Sequence, residues 1–228
     1  MNKLYTAVGK FRCRGRGDYR TPYIMLGKKE YLLDLQEMLL WSTLNWRILS
    51  MEEAFQLYNV KVLEVGCSFS RSPEDCLRRL VQRGLVAEGI GESGADALYE
   101  LLAELYIVPL STRLTLRLAA FARLILLDRL PFKAAKNVFR RDKRDDKEKK
   151  VIHLTDQMLL STAEVIKCFE KGVDDICVEE KLLDALYGDE YTTSDNLVHS
   201  VRFSPACNST IISIANLYLR QQIIFDRI

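Results

Sequence analysis

Residues 84–102 read GLVAEGIGESGADALYELL. Within them Gly89, Gly91 and Gly94 spell G-x-G-x-x-G ahead of a helix-like run, the outline of a turn that cradles a dinucleotide pyrophosphate. Such a turn needs a buried strand before it, backbone N–H groups free to meet phosphate, and an acidic residue about 20 positions on at the end of a second strand. Here Glu88 and Glu92 put carboxylates where phosphates would sit, and the position about 20 residues beyond Gly94 falls in Leu114-Thr115-Leu116, with no acid. The upstream segment reads as a helix, so the β-α-β setting is missing too. The stretch is therefore not a cofactor site, and its glycines are expected to permit a tight, exposed turn between a short strand at Leu85-Val86-Ala87 and a helix from Asp96 to Tyr106.

Working back toward the N-terminus, the pattern is helical. Leu32, Leu35, Leu39, Ser42 and Trp46 recur at three- and four-residue steps, which predicts a helix over residues 30–49. Ser50 with Glu53 forms the next capping box, and Met51, Phe55, Tyr58, Val62 and Val65 give the following helix its apolar repeat up to Gly66, a left-handed stop. A third helix opens at Ser72 with Asp75 three residues on and Pro73 at the first helical position, and it ends at Gly84. Residues 3–26 hold short β-favouring pieces around a Gly- and Arg-rich turn.

The phrase SRSPEDCLRRLVQRGLVAEGIGESGADALY, taken with the helices before it, resembles the third helix and wing of the winged helix-turn-helix superfamily, over about residues 30–110. The resemblance implies that Cys76, Leu77, Leu80 and Val81 pack inward while Arg71, Ser72, Glu74, Asp75, Arg78, Arg79, Gln82 and Arg83 face the major groove of double-stranded DNA. Arginine can form paired hydrogen bonds with guanine or phosphate, and a carboxylate can accept from the cytosine amino group. Arg12, Arg14 and Arg16 of the N-terminal arm would add salt-sensitive phosphate contacts. Where the resemblance would place a returning strand, ADALYELLAELY favours helix.

Bulk properties are those of a globular chain. It has 228 residues, 48% hydrophobic and 28% charged, with 33 Lys and Arg against 31 Asp and Glu, a net charge of +2. The sum neither demands nor excludes a polyanionic partner. Positive charge gathers in the first 20 residues and in residues 133–150. Six cysteines lack C-x-x-C pairing, and His153 and His199 lack the partners a zinc site needs, so no metal or cofactor is expected. No nucleophile elbow or phosphate-binding loop of the G-x-x-x-x-G-K type appears, and no enzyme activity is expected. The first 20 residues are polar and basic, and Leu114–Leu127 is interrupted by Arg117 and Arg123, so a cytoplasmic protein with no membrane span is the expectation.

The reading divides the chain into a basic arm at residues 1–28, a winged helix-like unit at 29–110 and an all-helical part at 111–228. The fold class expected is mainly α, with only a short β element. The helical part would carry homodimerisation, through residues 113–130 or through Ile211, Ile214, Leu217, Tyr218 and Ile224, and would recruit a protein partner or a small-molecule effector. The function expected is that of a dimeric, sequence-specific DNA-binding regulator of transcription. A protein-interaction adaptor of the same shape, without DNA binding, is the alternative.

Overall fold

A computed structural model describes residues 1–14, 21–110, 143–176, 183–184, 186–188, 192–193 and 196–227. The charge-interrupted segment 113–130 and Arg16 lie outside the described residues. The chain opens with β1 (Asn2–Ala7), β2 (Lys10–Arg14), β3 (Thr21–Leu26) and β4 (Lys29–Leu32). Three helices follow, α1 (Leu35–Leu44), α2 (Met51–Val65) and α3 (Pro73–Gln82). Then come β5 (Val86–Gly91), α4 (Gly94–Leu102) and β6 (Tyr106–Pro109). The C-terminal part contains α5 (Asp146–Gln157), β7 (Leu160–Ser161), α6 (Thr162–Glu170), α7 (Leu197–Val201), α8 (Cys207–Leu219) and β8 (Ile223–Asp226).

Strands form three small antiparallel sheets: β1 with β5, the meander β2-β3-β4, and β7-β6-β8. The mainly α expectation is therefore corrected to a mixed α and β fold, and the C-terminal part is not all-helical, because β7 and β8 belong to it. Two local features account for the difference. Asp34 and Glu37 form a capping box that starts α1 only at Leu35, which releases Lys29–Leu32 to pair with β3. After α8 the backbone turns at Gln221, a non-glycine residue at φ 58°, so the apolar run Ile223–Asp226 leaves the helix and pairs with β6.

The glycines of the opening stretch also differ from expectation. Gly89 and Gly91 lie within β5 and are buried, not in an exposed turn. A Cβ at Gly89 would stand 2.3 Å from the Ala97 carbonyl oxygen and 2.4 Å from the Leu101 nitrogen, and one at Gly91 would stand 2.3 Å from the Ala97 nitrogen. Their missing side chains let α4 lie backbone-to-backbone on β5. After β5 the chain forms α4, so residues 84–110 build no returning wing strand.

The β1–β5 sheet divides two cores. Along β1, Tyr5 and Ala7 join the core beneath α1–α3, with Leu40, Leu44, Leu77 and Leu80. Leu4 and the residue after the strand, Val8, turn to the larger core of α4, α5, α6 and α8. Ile211, Ile214, Leu217, Tyr218 and Ile224, expected as a dimer surface, are buried inside the chain. A dimer must use other residues. Among the described residues no helix is long and apolar enough to cross a membrane.

Tyr218 ties the two cores together. Its hydroxyl donates to the Ala7 carbonyl at 3.2 Å, accepts from the Trp46 N–H at 2.9 Å, and lies 2.9 Å from the Thr6 hydroxyl. Trp46 sits at φ 55°, and this bond helps to hold that unusual backbone. Burial pushes the Tyr218 phenol up to about 12. An unfolded tyrosine ionises near pH ~10, so the contribution of this phenol is full below that pH and is lost as pH rises toward the folded value. Wild-type stability, followed by urea unfolding, is expected to fall between pH ~10 and ~12. Tyr218→Phe is expected to cost about 2 kcal/mol at neutral pH, by orphaning its buried partners, and to make the alkaline fall shallower.

Candidate nucleic-acid interface

α3 forms where the sequence placed it. The Ser72 hydroxyl accepts from the Asp75 N–H at 3.1 Å, and Pro73 occupies the first helical position. The reciprocal half of the box is absent, since the Asp75 carboxylate turns to Arg78. Cys76, Leu77 and Leu80 are buried, and burial pushes the Cys76 thiol up to about 11, which leaves it a packing group. At 100° per residue, Glu74, Arg78, Gln82, Asp75 and Arg79 fall within about 140° of the helix surface. That face is solvent-accessible, as is Ser72 at its start.

Three of the four expected arginines converge on one carboxylate. Glu37 of α1 is 2% exposed. Its Oε2 lies 2.8 Å from Arg83 Nη1, and its Oε1 lies 3.4 Å from Arg79 Nε and 3.8 Å from Arg71 Nη1. Arg71 also meets Asp34 at 3.0 Å, while its carbonyl accepts from Gln36 at 2.9 Å. Burial alone would raise the Asp34 carboxyl, but the Glu37 N–H and the Arg71 guanidinium outweigh it and hold the group below its ordinary value. Arg71 and Arg83 are thereby mainly clamps between helices. Arg79 keeps half its side chain in water, and Arg78 is more exposed still.

Arg83 also joins α3 to the meander sheet. Its Nη2 donates to the Leu32 carbonyl of β4 at 2.7 Å, and its guanidinium lies 5.6 Å above the Tyr31 ring. The register sets Arg12 opposite Tyr23, and Arg14 opposite Thr21, so Lys10, Arg12, Arg14 and Tyr23 share one face of this sheet. Arg14 pairs with Glu30 at 3.0 Å and lies 5.9 Å from the Tyr23 ring centre. Arg12 is exposed. Across α3, the meander and the start of α1, Lys10, Arg12, Arg14, Lys28, Lys29, Arg71, Arg78, Arg79 and Arg83 stand against Glu30, Asp34, Glu37, Glu74 and Asp75, which leaves the region net positive.

Sequence reasoning singled out α3 and the basic arm, which includes Lys10, but missed Asp34, Glu37 and Tyr23. The D-x-x-E spacing at 34–37 announces a capping box, yet nothing in it announces that arginines from another helix will close on the same carboxylate. Among the described residues no group of three His, Cys, Asp or Glu side chains could hold a metal ion. No protein-family model, no curated protein and no solved structure matches the chain.

Glu37→Gln is expected to destabilise the fold by about 2–3 kcal/mol in urea unfolding. Removing one partner of a buried ion pair leaves uncompensated charge, and the arginines' contact with water keeps the loss at the low end. Arg78→Ala, at an exposed pair, is expected to change stability by less than about 0.5 kcal/mol.

Proposed function

We propose that the chain binds double-stranded DNA as a regulator of transcription, with α3 presented to the major groove and β2 contacting the phosphate backbone. The observation that carries this reading is the Arg83 bridge. It fixes a capped helix with an exposed polar face beside a sheet whose first strand places Lys10, Arg12 and Arg14 on one side with an aromatic ring. Arg78, Arg79 and Gln82 supply groups able to read base edges, and β2 supplies sequence-independent attraction. The basic hairpin of β2 and β3 takes the flanking role that residues 84–110 do not fill.

Two copies of α3 would read two half-sites, as dimeric regulators do. An exposed surface open to a second protein chain lies on α2, where Leu57, Val60 and Leu63 are 38%, 52% and 80% exposed. These positions recur every three residues and fall within about 120° of one helix face. The same stripe favours the second reading, an adaptor that binds another protein and no DNA.

Fluorescence anisotropy with a mixed-sequence duplex over a salt series separates the two. Arg12→Ala/Arg14→Ala is expected to weaken binding by about tenfold or more and to reduce the salt slope by up to about 2, since each lost phosphate contact removes about 0.9. Arg78→Ala is expected to reduce discrimination between sequences with little effect on the slope. An absence of binding at low salt would contradict DNA recognition and leave the α2 stripe to an adaptor role.

A further inference from the structure

Among the described residues, β5 has one edge occupied by β1 and one edge without a strand. Tyr5 stands opposite Glu88, yet its N–H donates to the Leu49 carbonyl at 2.8 Å and its carbonyl accepts from the Leu49 N–H at 3.1 Å. Tyr5 and Glu88 therefore form a non-hydrogen-bonded pair, and the backbone groups of Glu88 point away from β1. By alternation the same holds for Val86 and Ile90. Val86 is fully buried, so Glu88 and Ile90 present the accessible row of strand donors and acceptors along the open edge.

A cavity of about 420 Å³ lies against that row, lined by Val81, Val86, Glu88, Ile90, Glu100 and Arg227. Glu100 comes from α4, which covers the Gly89 and Gly91 side of β5, whereas Val86, Glu88 and Ile90 carry their side chains on the opposite side. A cavity reached from both sides of a strand lies at its edge. β1 fills the other edge, so this one is open.

The charges around it are unequal. Glu88 is paired with Lys3, and Glu100 with Arg202 at 2.5 Å. Among the described residues no carboxylate lies within 4.0 Å of the Arg227 guanidinium. Arg227 stands at the Gly84 end of the cavity, where a Cβ on Gly84 would be 3.6 Å from its Nη1. There the accessible edge ends, because Val86 is fully buried and Gly84 turns at φ 73° and donates its N–H to the Val81 carbonyl at 2.9 Å. A chain pairing along β5 runs out of backbone partners beside a cation that, among the described residues, has no carboxylate within 4.0 Å.

We propose that this edge takes up an extended peptide antiparallel to β5, with its C-terminal carboxylate on Arg227 and an apolar side chain against Val81 and Ile90. Backbone pairing would supply affinity and the cavity walls specificity, the mode of strand addition. Glu88 to Ile90 spans about 7 Å at ~3.4 Å per residue, enough to pair with the last two or three residues of the peptide. A second copy of β5 suits the edge less well, since a twofold centred on Glu88 sets two carboxylates opposite each other. The proposal stands apart from the DNA reading, because none of its residues is assigned a DNA contact.

The test uses the full-length chain, immobilised, and pentapeptides randomised at every position. Peptides with free C-termini are expected to be retained at least about tenfold better than the same pool ending in carboxamide, the scale of one charge-assisted contact. Of two free-acid pools N-methylated at one or the other set of alternate nitrogens, one is expected to lose retention and the other to keep it. Arg227→Gln, shown to be folded by circular dichroism, is expected to retain acid and amide pools alike. Equal retention of acid and amide pools by the wild type would overturn the proposal. So would indifference to both N-methylation patterns, or complete displacement by octanoate, which would mark a simple carboxylate pocket.

Discussion

The contact between the backbones of α4 and β5 governs how the rest of the chain is arranged. It is possible only because Gly89 and Gly91 have no Cβ, and it brings Ala97 and Leu101 down onto the strand. With α4 held this close, its residues Tyr99, Leu101 and Leu102 and the β6 residue Ile107 that follows enter the larger core, which the C-terminal helices complete. The opposite side of the same strand meets α3. One six-residue strand thus sets the distance between the two cores, and β1, threaded beside it, sends alternate residues into each.

On the α3 side one carboxylate serves two structural roles. Glu37 closes the N-terminus of α1 and also receives Arg71, Arg79 and Arg83. A buried carboxylate of this kind contributes more to fixing the relative positions of helices than to net free energy, because desolvation offsets much of the attraction. The consequence for the surface is a division of labour. Arg71 and Arg83 orient α3, whereas Arg78, Arg79 and Gln82 stay in solvent.

Local chemistry was legible in the sequence, and tertiary proximity was not. The caps at Ser50 and Ser72, the left-handed stop at Gly66 and the inward side of α3 all follow from residue types and spacing, and each is found in the structure. The end of α8 at Gln221 escaped notice because the left-handed turn there uses no glycine. The glycines of the opening stretch were read as a turn because the same letters serve a turn or a close approach. Only the partner helix distinguishes the two. Likewise the convergence on Glu37 joins positions more than 30 residues apart, and the cavity at β5 depends on Arg227, which no local pattern singles out.

The most direct test of this account compares two alanine substitutions only five residues apart in urea unfolding. Gly89→Ala places a methyl group against the α4 backbone, whereas Gly94→Ala, in the first turn of that helix, meets nothing within 4 Å. If the glycines exist to let α4 lie on β5, Gly89→Ala loses about 3 kcal/mol or more, and Gly94→Ala is neutral or slightly stabilising. Equal effects of the two, or a tolerated Gly89→Ala, would contradict the account, because α4 would then not depend on that close approach.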